Sequence, residues 1–324
     1  EIRLSLVGSE MCIRDSTIFN ERPESQDRAL KVIEKLGYTI VPRSEAEKKR
    51  GSRRAVLFTE ELQSFLSHQT YQFGTEERYF SGGSIAKAMQ TVDQFSAAGL
   101  YAENKAIYEL LCAGKSMEED LPDGTRQSFD LSFIDFKHPE NNTFQVTDEF
   151  EVERANGKFA RPDIVVLVNG IPLVVIECKK SRVDVMEGVN QNIRNWGEEY
   201  IPHLFRYTQL VLAMKPDKVL YGTCGTPAKY FVSWHEDDKE WLNDWCRKCS
   251  PDGQIKEQDR ALVSLLHPDR LLDLIRNFII YDNNVKKICR YKQYFAVKKC
   301  MKRILFQDGA NTRNGVVWHT QGSG

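Results

Sequence analysis

The apolar residues are densest in one stretch, residues 161–180, where two β-branched runs flank Asn169-Gly170. A short Asn-Gly step between two apolar runs is typical of two antiparallel strands joined by a tight turn. Both runs are apolar at successive positions rather than at alternating ones, so both faces of this hairpin are predicted to be covered. The pattern therefore predicts a central hairpin in a sheet that is packed on both sides.

Charged residues of this stretch stand only at the open end of the predicted hairpin. Asp163 begins the first strand, and Glu177 and Lys179 end the second. Side chains alternate along a strand, so residues 177 and 179 share a face. A strict two-residue turn would put Asp163 and Glu177 on opposite faces. Because Pro172 lacks an amide hydrogen, we predict an irregularity between Gly170 and Pro172 that aligns the two carboxylates.

Two carboxylates this close repel each other, and both stay ionised only when a cation lies between them. Mg²⁺ prefers oxygen ligands and commonly uses one or two carboxylates, so Asp163 and Glu177 are candidate metal ligands. The backbone carbonyl of Cys178 could be a third. Lys179 would then orient the nucleophile or stabilise charge on phosphorus, which indicates phosphodiester hydrolysis. The alternative is a buried hairpin whose terminal charges form a surface ion pair.

The rest of the pattern predicts helices around a mixed sheet of about five strands. A helix from Asp27 ends at Gly37, and Leu100 to Ala113 forms another that ends at Gly114. Charged residues from Glu45 to Arg54 predict a solvated loop or, alternatively, a phosphate-contacting loop. The other predicted elements are a helix at residues 62–66, a loop at 74–83, a helix capped by Ser84, strands at 129–136, 142–154 and 207–214, and helices at 183–200, 234–253 and 260–278.

Pro162-Asp163 followed by Glu177-Cys178-Lys179 resembles the PD-(D/E)xK nuclease signature. From about Pro23 to its last residue, the chain also resembles the amino-terminal part of the restriction (HsdR) subunit of type I restriction-modification enzymes. The resemblance implies an α/β fold, namely a restriction-endonuclease-like mixed β-sheet flanked by helices. It also implies that Asp163 and Glu177 bind Mg²⁺ and that Lys179 is catalytic.

Two further positions follow from the resemblance. Some nucleases of this fold add an acid from the first helix, and Asp27 or Glu24 could do so here; a solvated helix start is the alternative for both. Gln191 occupies the first polar position of the Gln-xxx-Tyr helix of related nucleases, although the fourth following residue is Asn195. Gln191 could hold the DNA backbone, orient Lys179, or be a surface glutamine.

The last forty or so residues are basic, and residues 315–324 read as a strand running into a glycine-rich loop. This end resembles a superfamily-two helicase entry, the start of a RecA-like motor domain truncated before the Walker lysine. Gln293 stands in the place of that family's adenine-reading glutamine. The resemblance implies that ATP binds only to the full-length protein, through an incomplete set of residues here: Gln293, Thr320, Gly322 and Gly324.

The predicted division is an adapter-like, non-native segment at residues 1–16, an endonuclease domain at 17–245, a helical connector at 246–284 and the beginning of the helicase domain at 285–324. The chain has 324 residues, 41% of them hydrophobic, and a formal net charge of −1. This composition is typical of an ordinary soluble protein, so any DNA contact must come from local patches. No apolar run approaches a membrane span, and we expect a cytoplasmic protein with free cysteines and no membrane partner.

These observations predict an endonuclease region that cuts double-stranded DNA. By resemblance, cutting is coupled in the full-length protein to ATP-dependent translocation, in a complex with methylation and specificity subunits. One alternative is a DNA-binding and assembly module whose nuclease centre is inactive. Another is a nucleotide-binding piece of a motor.

Overall fold

The computed structural model describes residues 25–94, 98–305 and 316–318. The strands are β1 (Thr39–Ile40), β2 (Thr70–Phe73), β3 (Glu76–Tyr79), β4 (Lys115–Asp120), β5 (Arg126–Leu131), β6 (Phe144–Asp148), β7 (Val152–Glu153), β8 (Phe159–Ala160), β9 (Ile164–Val168), β10 (Ile171–Cys178), β11 (Leu210–Lys215), β12 (Lys218–Gly222), β13 (Ile279–Asp282) and β14 (Val285–Ile288). The α-helices are α1 (Asp27–Lys35), α2 (Arg43–Arg50), α3 (Thr59–Ser67), α4 (Gly82–Asp93), α5 (Leu100–Ala113), α6 (Val185–Asn195), α7 (Pro202–Phe205), α8 (Lys239–Cys249), α9 (Glu257–Leu266), α10 (Pro268–Asn277) and α11 (Tyr291–Leu305). Short 3-10 helices lie at Pro139–Asn141 and Ala228–Tyr230.

A central sheet of six strands, in the order β1-β6-β9-β10-β11-β12, organises the fold. The β1–β6 and β10–β11 pairs are parallel and the other three are antiparallel. Every residue of β6, β9 and β10 is buried, because α6 packs on β10 to β12 while α1 and α2 pack on β6. The predicted α/β fold with a mixed sheet flanked by helices is confirmed.

The β9–β10 hairpin has the predicted tight turn. Asn169 and Gly170 have φ angles of 50° and 78°, the pair of positive values that a type I′ turn requires. Gly170 is required sterically as well, since a Cβ there would stand 2.3 Å from the carbonyl oxygen of Phe58. The pairing shifts register between Pro172 and Val174, as predicted. Beyond this bulge Ile176 pairs with Ile164, so the next pair brings Glu177 opposite Asp163.

The prediction of a loop from Glu45 to Arg54 is wrong, because most of this segment is helix α2. Oppositely charged residues spaced i,i+4, such as the pair Arg43–Glu47, stabilise a helix that has few apolar residues. Arg50 is buried; its guanidinium lies 4.0 Å from the centre of the Phe150 ring and donates to the carbonyl of Glu151. This dense run of charges therefore forms a helix, which the buried Arg50 anchors to the core.

Three other local predictions need correction. The strand predicted at residues 129–136 pairs as β5 with β4, outside the central sheet, and the sheet instead gains β1 and β12. The loop predicted at 74–83 contains β3, which pairs with β2. The N-cap of α4 is Ser81, whose hydroxyl accepts from the amide of Ser84, so Ser84 lies inside the helix rather than before it. In each case pairing or capping partners decide the outcome.

Side-chain contacts anchor helices α9 and α11 to elements that precede them in the chain. In α9, Asp259 accepts two hydrogen bonds from Arg28 of α1, at 2.8 and 2.6 Å, and both residues are buried. Tyr294 of α11 packs on Phe278 and donates to Asp273 at 2.7 Å. The proposed domain boundaries stay predictions. Among the described residues, the helices include none with the length and apolar character of a membrane span.

Candidate active site

Three of the predicted site residues meet at the open end of the β9–β10 hairpin. Asp163 immediately precedes β9, Glu177 lies in β10, and Lys179 follows β10. Glu177 has no solvent-exposed surface, whereas Asp163 and Lys179 are partly exposed. Oδ2 of Asp163 accepts a hydrogen bond of 2.6 Å from the amide of Cys178, and the carboxyl group of Glu177 lies beside that of Asp163. The bulge in the hairpin is what brings these two groups face to face.

The electrostatic environment of the two carboxyl groups is unfavourable to a double negative charge. Burial raises the pKa of Glu177 well above its ordinary value, and the neighbouring charge of Asp163 raises it further. Burial also raises the pKa of Asp163, while the amide of Cys178 and the ammonium of Lys179 oppose that shift. In the absence of a cation, the two carboxylates of such a pair repel each other, which favours the protonated form of one of them.

The unused bonding capacity of Glu177 points to a cation. Its Oε1 accepts from Nδ2 of Asn195 at 3.1 Å, but its Oε2 is buried and has no hydrogen-bond partner among the described residues. Leaving a buried carboxylate oxygen unpaired is costly, and a cation between the carboxylates removes that cost. Within the described ranges no group of three or more acidic, histidine or cysteine side chains gathers. Two carboxylates and the carbonyl of Cys178 suit Mg²⁺, which retains several waters.

Helix α6 supports both Lys179 and Glu177. Nζ of Lys179 donates to Oε1 of Gln191 at 2.7 Å, and Asn195 donates to Glu177 one turn further along. Residues four apart lie on one face of a helix, so this face of α6 reaches both groups. Gly188 permits the close approach, because a Cβ there would already lie 3.1 Å from the Cβ of Ala213. Gln191 lies beside Lys179, which is the position that orienting this lysine requires.

Asn195 is a further candidate site residue, which the sequence alone does not predict. Its only sequence signal is its position four residues after Gln191, where related nucleases have a tyrosine. It is buried and stands where it can fix the orientation of the Glu177 carboxyl group.

The start of α1 also contacts the candidate site, and it does so through Gln26. Gln26, immediately before Asp27, is buried, and its Nε2 donates to the carbonyl of Asp163 at 3.0 Å. Asp27 is partly exposed at the first position of α1, and Glu24 lies outside the described residues. The amino-terminal helix therefore helps to hold Asp163 in place.

The residues predicted for ATP are only partly described. Gln293 lies in the first turn of α11, where its Oε1 accepts from the amide of Arg290 at 2.8 Å. It borders a cavity of about 650 Å³ that is also lined by Tyr221 and Phe278. Thr320, Gly322 and Gly324 lie outside the described residues. ATP binding stays a prediction.

The helix-flanked mixed sheet, with paired carboxylates at the end of its central hairpin, defines a restriction-endonuclease-like α/β fold. Residues 18–230 match the family described as type I restriction enzyme R protein N terminus, and residues 292–324 match the SWI2/SNF2 ATPase family. The chain therefore belongs to the family of amino-terminal regions of type I restriction enzyme R proteins.

Similar proteins include three endonuclease subunits of type I restriction enzymes. The putative MjaIXP subunit of Methanocaldococcus jannaschii is 27% identical over 98% of this chain and 31% of its own length. The HindI subunit of Haemophilus influenzae is 27% identical over 88% of this chain and 26% of its own length. The putative MjaVIIP subunit of M. jannaschii is 36% identical over 60% of this chain and 18% of its own length. The chain thus spans a third or less of these relatives.

Proposed function

We propose that this chain is the Mg²⁺-dependent endonuclease region of a type I restriction R subunit and that it hydrolyses phosphodiester bonds of double-stranded DNA. The observation that carries the proposal is the buried Oε2 of Glu177, which has no partner among the described residues and lies beside Asp163. A structural ion pair would use this oxygen, whereas a metal site needs it free.

Asp163 and Glu177 would hold the ion with the carbonyl of Cys178. A divalent ion bound there supplies polarisation of a phosphate oxygen and of a water molecule. Lys179 contributes a compact positive charge, which its hydrogen bond to Gln191 holds at the partly exposed mouth of the site. From there Lys179 orients the attacking water and stabilises the charge that develops on the phosphoryl oxygens. Asn195 fixes the Glu177 carboxyl group through its first oxygen, which would leave the second oxygen available to hold the ion.

In the full-length protein we propose that cutting is coupled to ATP-dependent translocation along DNA, with methylation and specificity subunits as partners. Two observations support this extension. The segment that follows the nuclease region matches the SWI2/SNF2 ATPase family, and the relatives are named as endonuclease subunits of type I restriction enzymes.

The test combines metal binding with DNA cleavage, so that the two steps are read separately. Calorimetric titration with Mg²⁺ or Mn²⁺ and nicking of supercoiled plasmid are measured for the wild type and for Glu177→Gln, which keeps the size of the side chain. Glu118→Gln is the matched control, since Glu118 is exposed on β4 in a separate sheet. Glu177→Gln should lose both properties and the control should keep both.

Two results would count against the proposal. A wild type that binds neither ion would refute the metal site. Metal binding without cleavage, both by the chain and by the assembled restriction complex, would favour the inactive assembly module instead.

A further inference from the structure

Several arginines around the central sheet are neutralised by carboxylates. Arg28 pairs with Asp259, and Arg161, two residues before Asp163, pairs with Glu149. Arg43 and Arg53 both pair with Glu151. Arg154 and Arg194 differ, because neither forms an ion pair within the part of the chain that the structure describes.

Arg154 and Arg194 share an aromatic platform. The guanidinium carbon of Arg154 lies 3.9 Å from the centre of the Tyr200 ring, and that of Arg194 lies 5.4 Å from the same centre. The two charges are therefore no farther apart than the sum of these distances. Nε of Arg154 donates to the carbonyl of Glu199 at 3.0 Å, which fixes its side chain further. Stacking on the Tyr200 ring and this hydrogen bond restrict two long side chains, which in an ordinary surface arginine would be mobile.

Both arginines belong to segments that form the active site. Arg194 lies on α6 between Gln191, which bonds Lys179, and Asn195, which bonds Glu177. Arg154 stands at the turn between β7 and β8, and β8 runs through residues 161 and 162 directly to Asp163. The pair therefore lies on segments that flank Asp163 and Glu177.

We propose that Arg154 and Arg194, held by Tyr200, form a second phosphate-binding site that grips the DNA backbone beside the phosphate to be cut. Two guanidinium groups kept close without a carboxylate repel each other, and a phosphate between them removes that repulsion while accepting hydrogen bonds from both. This inference rests on the proposed function, since it takes DNA as the substrate. It adds the residues that position the strand against Lys179, which the signature motif does not contain.

The experiment measures binding of a labelled DNA duplex in EDTA, by fluorescence anisotropy over a series of salt concentrations. Each phosphate contact contributes roughly 0.9 to the slope of log K against log salt. The double variant Arg154→Ala/Arg194→Ala removes this one phosphate contact and should lower that slope by roughly 0.9, and Arg194→Ala alone should lower it by part of that amount. Arg247→Ala is the matched control, because Arg247 is exposed on α8 and paired with Asp244.

The outcomes separate this inference from the proposed function. Arg194 is exposed, so its alanine variant carries the test even if loss of the half-buried Arg154 weakens the fold. Thermal melts with and without Mn²⁺ should show the same metal-dependent shift in the arginine variants as in the wild type. Unchanged salt slopes, or no DNA binding by the wild type at low salt, would overturn the phosphate site while leaving the metal site standing. Reduced slopes in a protein that binds no metal would leave the phosphate site and remove the proposed catalysis.

Discussion

Lys286 of β14 provides a test of the energetics that does not depend on function. Its ammonium group is buried and donates to Oδ1 of Asn104 at 2.8 Å and to Oε1 of Gln209. Neither partner carries a charge. Burial lowers the pKa of Lys286 to about 7, and the thiols of Cys112 and Cys224 only partly oppose that shift.

The sign of the pH dependence follows from this depressed pKa. Between pH 7 and about pH 10.5, the unfolded chain holds a proton on Lys286 that the folded protein has partly released, so folding becomes more favourable as the pH rises. Below pH 7 both states are protonated and the destabilisation is complete. A single group with these two pKa values destabilises the fold by about 4 kcal/mol at pH 7 and about 2 kcal/mol at pH 9.

Lys286→Met should remove this dependence while nearly preserving the volume of the side chain. The absolute stability of the variant also includes the cost of leaving the oxygens of Asn104 and Gln209 without a donor, about 1–3 kcal/mol each. The change with pH does not contain that cost. The stability of the wild type relative to the variant should therefore rise by about 2 kcal/mol from pH 7 to pH 9.

Denaturant unfolding at several pH values, in the presence of a reductant, measures this difference. Lys287→Met is the matched control, because Lys287 is the exposed neighbour of Lys286 and pairs with Asp282. The control should follow the wild type at every pH. If the free energies of unfolding of the wild type and of Lys286→Met stayed parallel from pH 7 to pH 9, the argument from burial would be refuted.

Three further predictions concern the active site. Asp163→Ala should preserve or raise the melting temperature without metal, since it removes one of two repelling carboxylates, and should abolish stabilisation by Mn²⁺; a metal-independent wild type with unimpaired cleavage by the variant would contradict this. Lys179→Ala should keep metal binding but lose plasmid cleavage, and Lys179→Arg should not restore it; cleavage by the arginine variant at the wild-type rate would reduce the lysine to a surface charge. Asn195→Ala should weaken metal binding by about 10- to 100-fold in calorimetry, and an unchanged affinity would show that Asn195 does not position Glu177.

The part of the fold that could be read from the sequence is the part that local interactions determine. The Asn169-Gly170 turn and Pro172 together predict both the hairpin and its irregularity, because turn geometry and a missing amide act within a few residues. The same local logic finds α5 with its correct bounds, since Gly114 ends it.

What could not be predicted depends on partners far away in the sequence. β1 has only two residues and is a strand only because β6 lies beside it, 106 residues later. Asn195 is marked only by its spacing from Gln191, and its contact with Glu177 arises when α6 packs over that residue. The helix α2 was missed because charge density indicates exposure, whereas Arg50 is held inside by Phe150 and backbone carbonyls.

The pairing of α1 with α9 has a consequence for folding during synthesis of the protein. Arg28 and the carboxylate that neutralises it are 231 residues apart. At about 5–20 residues per second, roughly 10–50 s pass on the ribosome between the synthesis of the two. Until Asp252 and Asp259 have been made, α1 has no partner for its inward-facing arginine, and the helix whose start carries Gln26 to Asp163 lacks this anchor. The order of synthesis therefore delays the anchoring of this helix beside the candidate active site until the ribosome has come to within a few helices of the segment that matches the SWI2/SNF2 ATPase family.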